Sequence, residues 1–195
     1  MILASRNRHK VRELAQILPG VGLRPLPEQV GMPPEDGDTF VANALLKARA
    51  AQRATGESAI ADDSGLEVDG LDGRPGVRSA RYAGEAATDE ENLELVLRNL
   101  SASGGPAGAR YVCAIALVDR EGREYVFEGT CEGELTPEPR GSGGFGYDPA
   151  FVPVDTGPEY ERTMAELSDS ENHAISQRGR AARELAADLA DRPES

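Results

Sequence analysis

Cysteine is scarce in this chain: Cys113 and Cys131 are the only two. Both fall in strand-like runs that can pair as a hairpin, and without an export signal they are expected as reduced core thiols rather than as a disulfide or a metal pair. Long apolar runs are lacking as well. Nothing approaches the length of a membrane span, and the opening "MILASRNRHK" enters a strand-like pattern without the apolar stretch of a signal peptide. A cytoplasmic protein with no membrane partner is the expectation. Basic residues are outnumbered, 21 against 34 acidic, for a net charge of −13. Phosphate backbones are held by basic surfaces, so polymeric nucleic acid is a disfavoured partner. A small phosphorylated ligand remains open, because a few local cations and backbone N–H groups outweigh the global charge nearby. There is no internal repeat, and 195 residues suit one domain spanning 1–195, with or without two lobes.

Periodicity supplies the outline. "MILAS" reads as a short buried strand, followed by a helix in "RNRHKVRELAQIL", whose Val11, Leu14, Ala15, Ile17 and Leu18 form an apolar stripe ending at Pro19-Gly20. The acidic turn "GMPPEDGD" leads to Thr39, a cap for a helix carrying Phe40, Ala44, Leu45 and Ala48 and ending near Gly56. "SAIA" is a short strand that delivers Asp62 and Asp63 to its C-terminal end. Thr88 and Glu91 have capping-box spacing ahead of Leu93, Val96, Leu97 and Leu100. "RYVCAIALVD" and "EYVFEGTCEGEL", joined by "REGR", read as a hairpin, and "RGRAARELAADLA" as a closing helix before a frayed tail "DRPES". The expected fold class is α/β or mixed α+β.

Four stretches carry residues suited to chemistry. In "SRNRHK", Ser5, Asn7 and Lys10 sit where a strand gives way to a helix, an anion-binding arrangement without Walker spacing. The simpler reading is an ordinary helix cap with a solvated lysine. In "ADDSG", adjacent carboxylates repel, so solvent or a bound cation must offset them. Alternation along a strand turns Asp62 and Asp63 to opposite faces, one toward a site and one in support. Glu35 or Asp36 can add a second carboxylate for a hard cation such as Mg²⁺; a turn in which the aspartates bond backbone N–H groups is the simpler reading. The loop "GSGGFGYDPAF" combines glycines with Phe145, Tyr147 and Asp148, offering close backbone approach, an aromatic face and an acceptor for a ring N–H; alternatively it is a plain connection. In "ENHAISQRGRA", Ser176 and Arg178 open a helix, where Arg178 forks onto a phosphate or carbonyl oxygen or is simply solvated.

Together, "SRNRHKVREL", "TFVANALLKA", "ADDSGLEVDGLDGRPGVRSARYAG", "GSGGFGYDPAF" and "MAELSDSENHAISQRG" resemble the Ham1-like family of inosine triphosphate pyrophosphatases over nearly the whole chain. The resemblance implies an elongated mixed β-sheet flanked by helices, two lobes with a central cleft, and a homodimer. It implies Mg²⁺-dependent hydrolysis of inosine, deoxyinosine and xanthosine triphosphates to the monophosphate and pyrophosphate. By position, Ser5, Arg6, Asn7, Arg8, His9 and Lys10 would hold the triphosphate, and Glu35 and Asp63 the metal, with Asp63 also the proton acceptor. Ser64 would touch substrate, Phe145, Gly146, Tyr147 and Asp148 would hold the base, and Arg178 would complete recognition. The family pattern has a lysine followed four residues later by Ser-His-Arg, where this chain has Asn172, Ser176, Gln177 and Arg178. Asn172 and Gln177 still reach substrate in this reading, but Asn172 supplies no cation and Gln177 does not titrate. A nucleotide-binding sensor without hydrolysis, a metal phosphatase releasing orthophosphate, and an interaction module are the competing readings.

Overall fold

The computed structural model describes residues 1–156 and 162–192. Six strands form one sheet in the order β2-β1-β3-β4-β5-β6: β1 Ile2–Leu3, β2 Arg24–Pro25, β3 Ala59–Val68, β4 Gly108–Val118, β5 Glu124–Leu135 and β6 Phe151–Pro153. β1 pairs in parallel with both β2 and β3, whereas β6 runs antiparallel to β5, so the sheet is mixed. Around it lie helices α1 Arg8–Ile17, α2 Phe40–Thr55, α3 Asp89–Ser103, α4 Asp169–Ile175 and α5 Gln177–Asp191. The mixed α/β class is as expected.

The long elements follow their sequence signals. Thr39 caps α2 by accepting from the Ala42 N–H, and Gly56 ends it in the left-handed conformation at φ 69°. Thr88 and Glu91 form the reciprocal capping box of α3. β4 and β5 are neighbours joined at the "REGR" turn. Three differences stand out. β3 continues through Ser64-Gly65 to Val68, so Asp62 and Asp63 lie in mid-strand rather than at a strand end, and the turn reading of this stretch is excluded. The strands β2 and β6, two and three residues long, are too short to leave a periodic signal. Finally, Ser176 is the C-cap of α4, with α5 starting at Gln177. Of the tail "DRPES", expected to fray, Asp191 is the last residue of α5 and Arg192 donates to Asp188, whereas 193–195 lie outside the described residues.

The chain divides into two compact units, one of Met1–Asp63, Cys113–Gly129 and Gln177–Ser195, the other of Ser64–Val112 and Thr130–Ser176. The first has a core of Leu3, Leu14, Leu18, Ile60, Ile115, Leu117 and Leu185, where α1 meets α5. Small residues set the spacing there. A Cβ on Gly129 of β5 would come within 2.2 Å of the Gln177 carbonyl oxygen, so only glycine lets β5 touch the start of α5. The second unit is built on Leu66, Val68, Val96, Leu100, Tyr111 and Phe151, with the Tyr111 and Phe151 rings 4.6 Å apart. Cys113 lies in the first core and Cys131 in the second, both as buried thiols, and burial pushes the Cys113 thiol up to about 12.

Candidate active site

In the first unit, the junction of β1 with α1 is closed by Asn7. Its backbone is extended, and its side-chain oxygen accepts from the N–H groups of His9 at 2.9 Å and Lys10 at 3.2 Å. The Ser5 hydroxyl accepts from Asn7 N at 3.3 Å. The capping reading therefore holds for this stretch, and these N–H groups are already engaged within the loop. Lys10 is not the solvated lysine of that reading: its ammonium is 3.3 Å from Asp62 Oδ2. Arg8 and His9 are exposed, and the expectation that Arg6 holds the triphosphate is corrected: its guanidinium is engaged by backbone carbonyls of residues 26–30.

The aspartate pair is split between two sets of cations, as strand alternation requires. Asp62, 1% exposed, takes Arg178 Nε at 3.1 Å and Lys10 on one oxygen. Asp63, 5% exposed, accepts from Asn43 Nδ2 at 3.0 Å and lies 3.7 Å from the Lys47 ammonium. Lys47 also meets Glu35 Oε1 at 2.5 Å, so Glu35 and Asp63 converge on one positive charge. Asp36, by contrast, is exposed. Burial pushes the Asp62 carboxyl up, but Lys10, Arg178 and Lys47 together outweigh it and hold this group well below the usual carboxylate range. Burial also dominates at Asp63, where the nearby Glu35 charge adds to it. Lys47, Lys10 and the Asn43 hydrogen bond only partly compensate, and the carboxyl sits above its ordinary value. For Lys47, burial alone would favour the neutral amine; the surrounding Asp62, Asp63 and Glu35 reverse that and keep it charged.

Arg178 departs from its expected role. It is 1% exposed, with Nε on Asp62 and Nη1 on Glu13 at 2.5 Å, which makes it an internal counter-ion rather than a donor presented to a base. Gln177 is buried too, and its Oε1 finds no hydrogen-bond partner among the described residues.

The second unit holds the other expected residues: half-buried Ser64 on β3, half-buried Asn172 on α4, and the glycine-rich loop. That loop is a folded turn, not a plain connection. Asp148 Oδ2 accepts from Phe145 N at 2.9 Å, and Oδ1 accepts from the buried Tyr111 hydroxyl at 2.9 Å. Gly144 has φ 69°, and a Cβ there would fall 2.1 Å from Asp148 Oδ2. Gly146 N donates to Asp89 Oδ2 at 2.9 Å, and the Tyr147 hydroxyl donates to Ser79 O at 2.7 Å. Two expectations are corrected here. The Asp148 carboxylate is engaged in fixing the loop, and the Tyr147 ring, 4% exposed, faces the core, so Phe145 is the loop aromatic that retains accessible surface.

Asn43, Lys47 and Glu13 are the site residues that sequence reading missed. Asn43 and Lys47 are four apart on α2, beside the apolar Phe40, Ala44 and Ala48; polar residues on a helix's buried face are the available signal. Among the described residues there is no cluster of three His, Cys, Asp or Glu side chains suited to a metal. Glu35 and Asp63 nonetheless fit a hard cation of the magnesium type, which takes one or two carboxylates and completes its shell with water and phosphate oxygens. Their common approach to the Lys47 ammonium shows that one positive centre can serve both.

Fold and site thus define an α/β protein with a buried oxygen-donor cluster balanced by lysine and arginine, suited to a polyanionic small molecule. The chain belongs to the Ham1 family, whose sequence model matches residues 1–188. It is 46% identical over 190 residues to a dITP/XTP pyrophosphatase of Desulforamulus reducens, covering 93% of this chain and 90% of that one. A dITP/XTP pyrophosphatase of Geobacter sulfurreducens is 47% identical over 187 residues, covering 93% and 92%. Among solved structures, a HAM1 protein from Coxiella burnetii superposes with a TM-score of 0.88 at 41% identity, over 98% of each chain.

Proposed function

We propose that this protein hydrolyses inosine, deoxyinosine and xanthosine triphosphates to the monophosphate and pyrophosphate, removing these purines from the nucleotide pool of the cytoplasm, and that it acts as a homodimer. The observation that carries the reading is the convergence of Asp63 and Glu35 on Lys47, with Lys10 on the adjacent Asp62, in a chain about 46% identical to a dITP/XTP pyrophosphatase. Glu35 and Asp63 are the residues that would hold a magnesium ion, whose chemistry is to neutralise charge on phosphate oxygens. Asp63 is held in place by Asn43 Nδ2, which suits its carboxylate to orient a water and accept its proton. The water attacks the α-phosphorus, and the bond to the pyrophosphate oxygen breaks. Lys10 and Lys47 meet the charge that develops on the leaving group. Phe145 offers the base a face, while Asp148, Asp89 and Ser79 hold the loop that presents it.

Hypoxanthine and xanthine carry a carbonyl where adenine carries an amino group, so a site built to donate there leaves a donor unpaired against adenine. Product analysis with ITP, XTP, GTP and ATP in the presence of Mg²⁺ tests the reading. Pyrophosphate from ITP and XTP, with ATP turned over far more slowly, is expected. Orthophosphate would mark a phosphatase, and ITP binding without release would mark a sensor.

A further inference from the structure

Arg6 is exposed, yet its guanidinium is engaged with one short turn. Nη1 donates to Leu26 O at 3.0 Å, and Nη2 to Pro27 O at 2.9 Å and Val30 O at 3.1 Å, with Glu28 O at 3.4 Å. Within that turn, Val30 N donates to Pro27 O at 3.0 Å. Carbonyl dipoles aimed at one point repel one another, and a planar fork of donors reconciles several at once in a way an ammonium does not.

The segment that follows, 31–38, contains no helix or strand. Its far end is pinned by Asn43, whose side-chain oxygen accepts from Gly37 N at 2.8 Å while its amide donates to Asp63. Glu35 lies between the two anchors. Arg6 is itself flanked by Ser5 and Asn7, the residues that close the junction carrying Lys10.

We propose that Arg6 is a positioning residue: it clasps the 26–30 turn to the start of α1 and so sets where the Glu35 carboxylate stands relative to Asp63. The inference rests on the reading of Glu35 as a metal-holding group. With the clasp removed, the chain between Val30 and Gly37 gains conformational freedom, and Glu35 must be ordered at the moment a cation binds. The cost appears in metal affinity rather than in the chemical step, because Asp63 keeps its own partners.

The test compares Arg6→Ala and Arg6→Lys with the parent protein. In Arg6→Ala, the Mg²⁺ concentration for half-maximal pyrophosphate release should rise about tenfold, the scale seen when outer partners of metal ligands are lost. The kcat at saturating Mg²⁺ should stay within about threefold, and Arg6→Lys should fall between. Independently of activity, amide hydrogen exchange over 28–37 in the metal-free Arg6→Ala protein should quicken by about tenfold. An unchanged metal requirement, a loss confined to kcat, or unchanged exchange would each overturn the clasp. Should the parent protein not turn over ITP, the proposed function fails by itself. Exchange over 28–37 and calorimetric titration with Mg²⁺ then still decide the role of Arg6.

Discussion

The two units hold their aspartates by different means. In the first, Asp62 and Asp63 face side-chain cations: Lys10 and Arg178 on one, Lys47 on the other, with Glu35 sharing Lys47. In the second, Asp148 accepts from the Phe145 N–H and the buried Tyr111 hydroxyl, bonds that tie it into its own loop and core. An ammonium on a flexible stem can exchange one oxygen partner for another, so a polyphosphate and its cation can enter the first arrangement by redistributing bonds already present. Asp148 cannot be released without undoing the loop around it. The first arrangement therefore suits chemistry and the second suits shape, and substitutions should separate rate from recognition along the same line.

Replacing Asp63 should have the largest effect. Asp63→Asn keeps the size of the side chain and a hydrogen-bonding partner for Asn43, but removes the proton acceptor and one of two candidate metal carboxylates. Pyrophosphate release from ITP should drop by more than about a hundredfold with the circular dichroism spectrum unchanged. Substantial turnover in this variant would remove the first unit's claim to the chemistry. Next in size is Arg178→Met, which leaves the buried Asp62 and the half-buried Glu13 without their shared guanidinium. Breaking a buried pair in this way costs about 3–5 kcal/mol, to be read by urea unfolding. An Asp62→Asn, Arg178→Met double variant should lose less than the sum of the two single losses.

Much of this comparison was legible in the residues themselves. The caps at Thr39 and Thr88, the apolar stripe of α3, that of α1 apart from the exposed Ala15, and the β4-β5 hairpin all follow local rules, because each signal and its partner lie within a few positions. What local pattern does not carry is the partner of a charge. Arg178 reads as a solvated helix residue or as a ligand donor, and only the folded chain brings Glu13, 165 positions away, onto its guanidinium. Lys47 sits beside an alanine-rich helical stripe and becomes a counter-ion only when β3 runs past it. The continuation of β3 through Ser64-Gly65 is the same lesson for the backbone: a turn-prone dipeptide is overruled when the flanking residues are paired in a sheet.

The glycine-rich loop allows a test of the second unit alone. Gly144→Ala demands a left-handed residue with a side chain and pushes a methyl group onto Asp148 Oδ2. The strain is on the order of 1–3 kcal/mol, and its relief requires breaking the bond from Phe145 N. The expected outcome is a KM for ITP raised about tenfold with kcat little changed, since the carboxylates of the first unit are untouched. A fall in kcat at unchanged KM would mean that the loop takes part in the chemical step and that the contrast between the units is wrong.

The smallest effect is found inside the first unit, where two neighbouring carboxyls respond to pH with opposite signs. The folded pKa of Asp62 lies below the unfolded value near 3.8, so the stability it contributes is complete above that value and is lost as pH falls through the folded pKa. Asp63 is shifted upward; its contribution is complete below about 3.8 and is lost as pH rises through its folded pKa. Urea unfolding across the acid range to neutrality should show Asp62→Asn with a flatter acid limb than the parent protein. Asp63→Asn should lose the decline toward neutrality, with Lys47 still held by Glu35. The slope is the quantity to compare, because Asp62→Asn also lowers overall stability by weakening the hold on Arg178. If both variants moved the curve in the same direction, Asp62 and Asp63 would be titrating as one coupled pair, and the division of cations between them would not be what sets their charge.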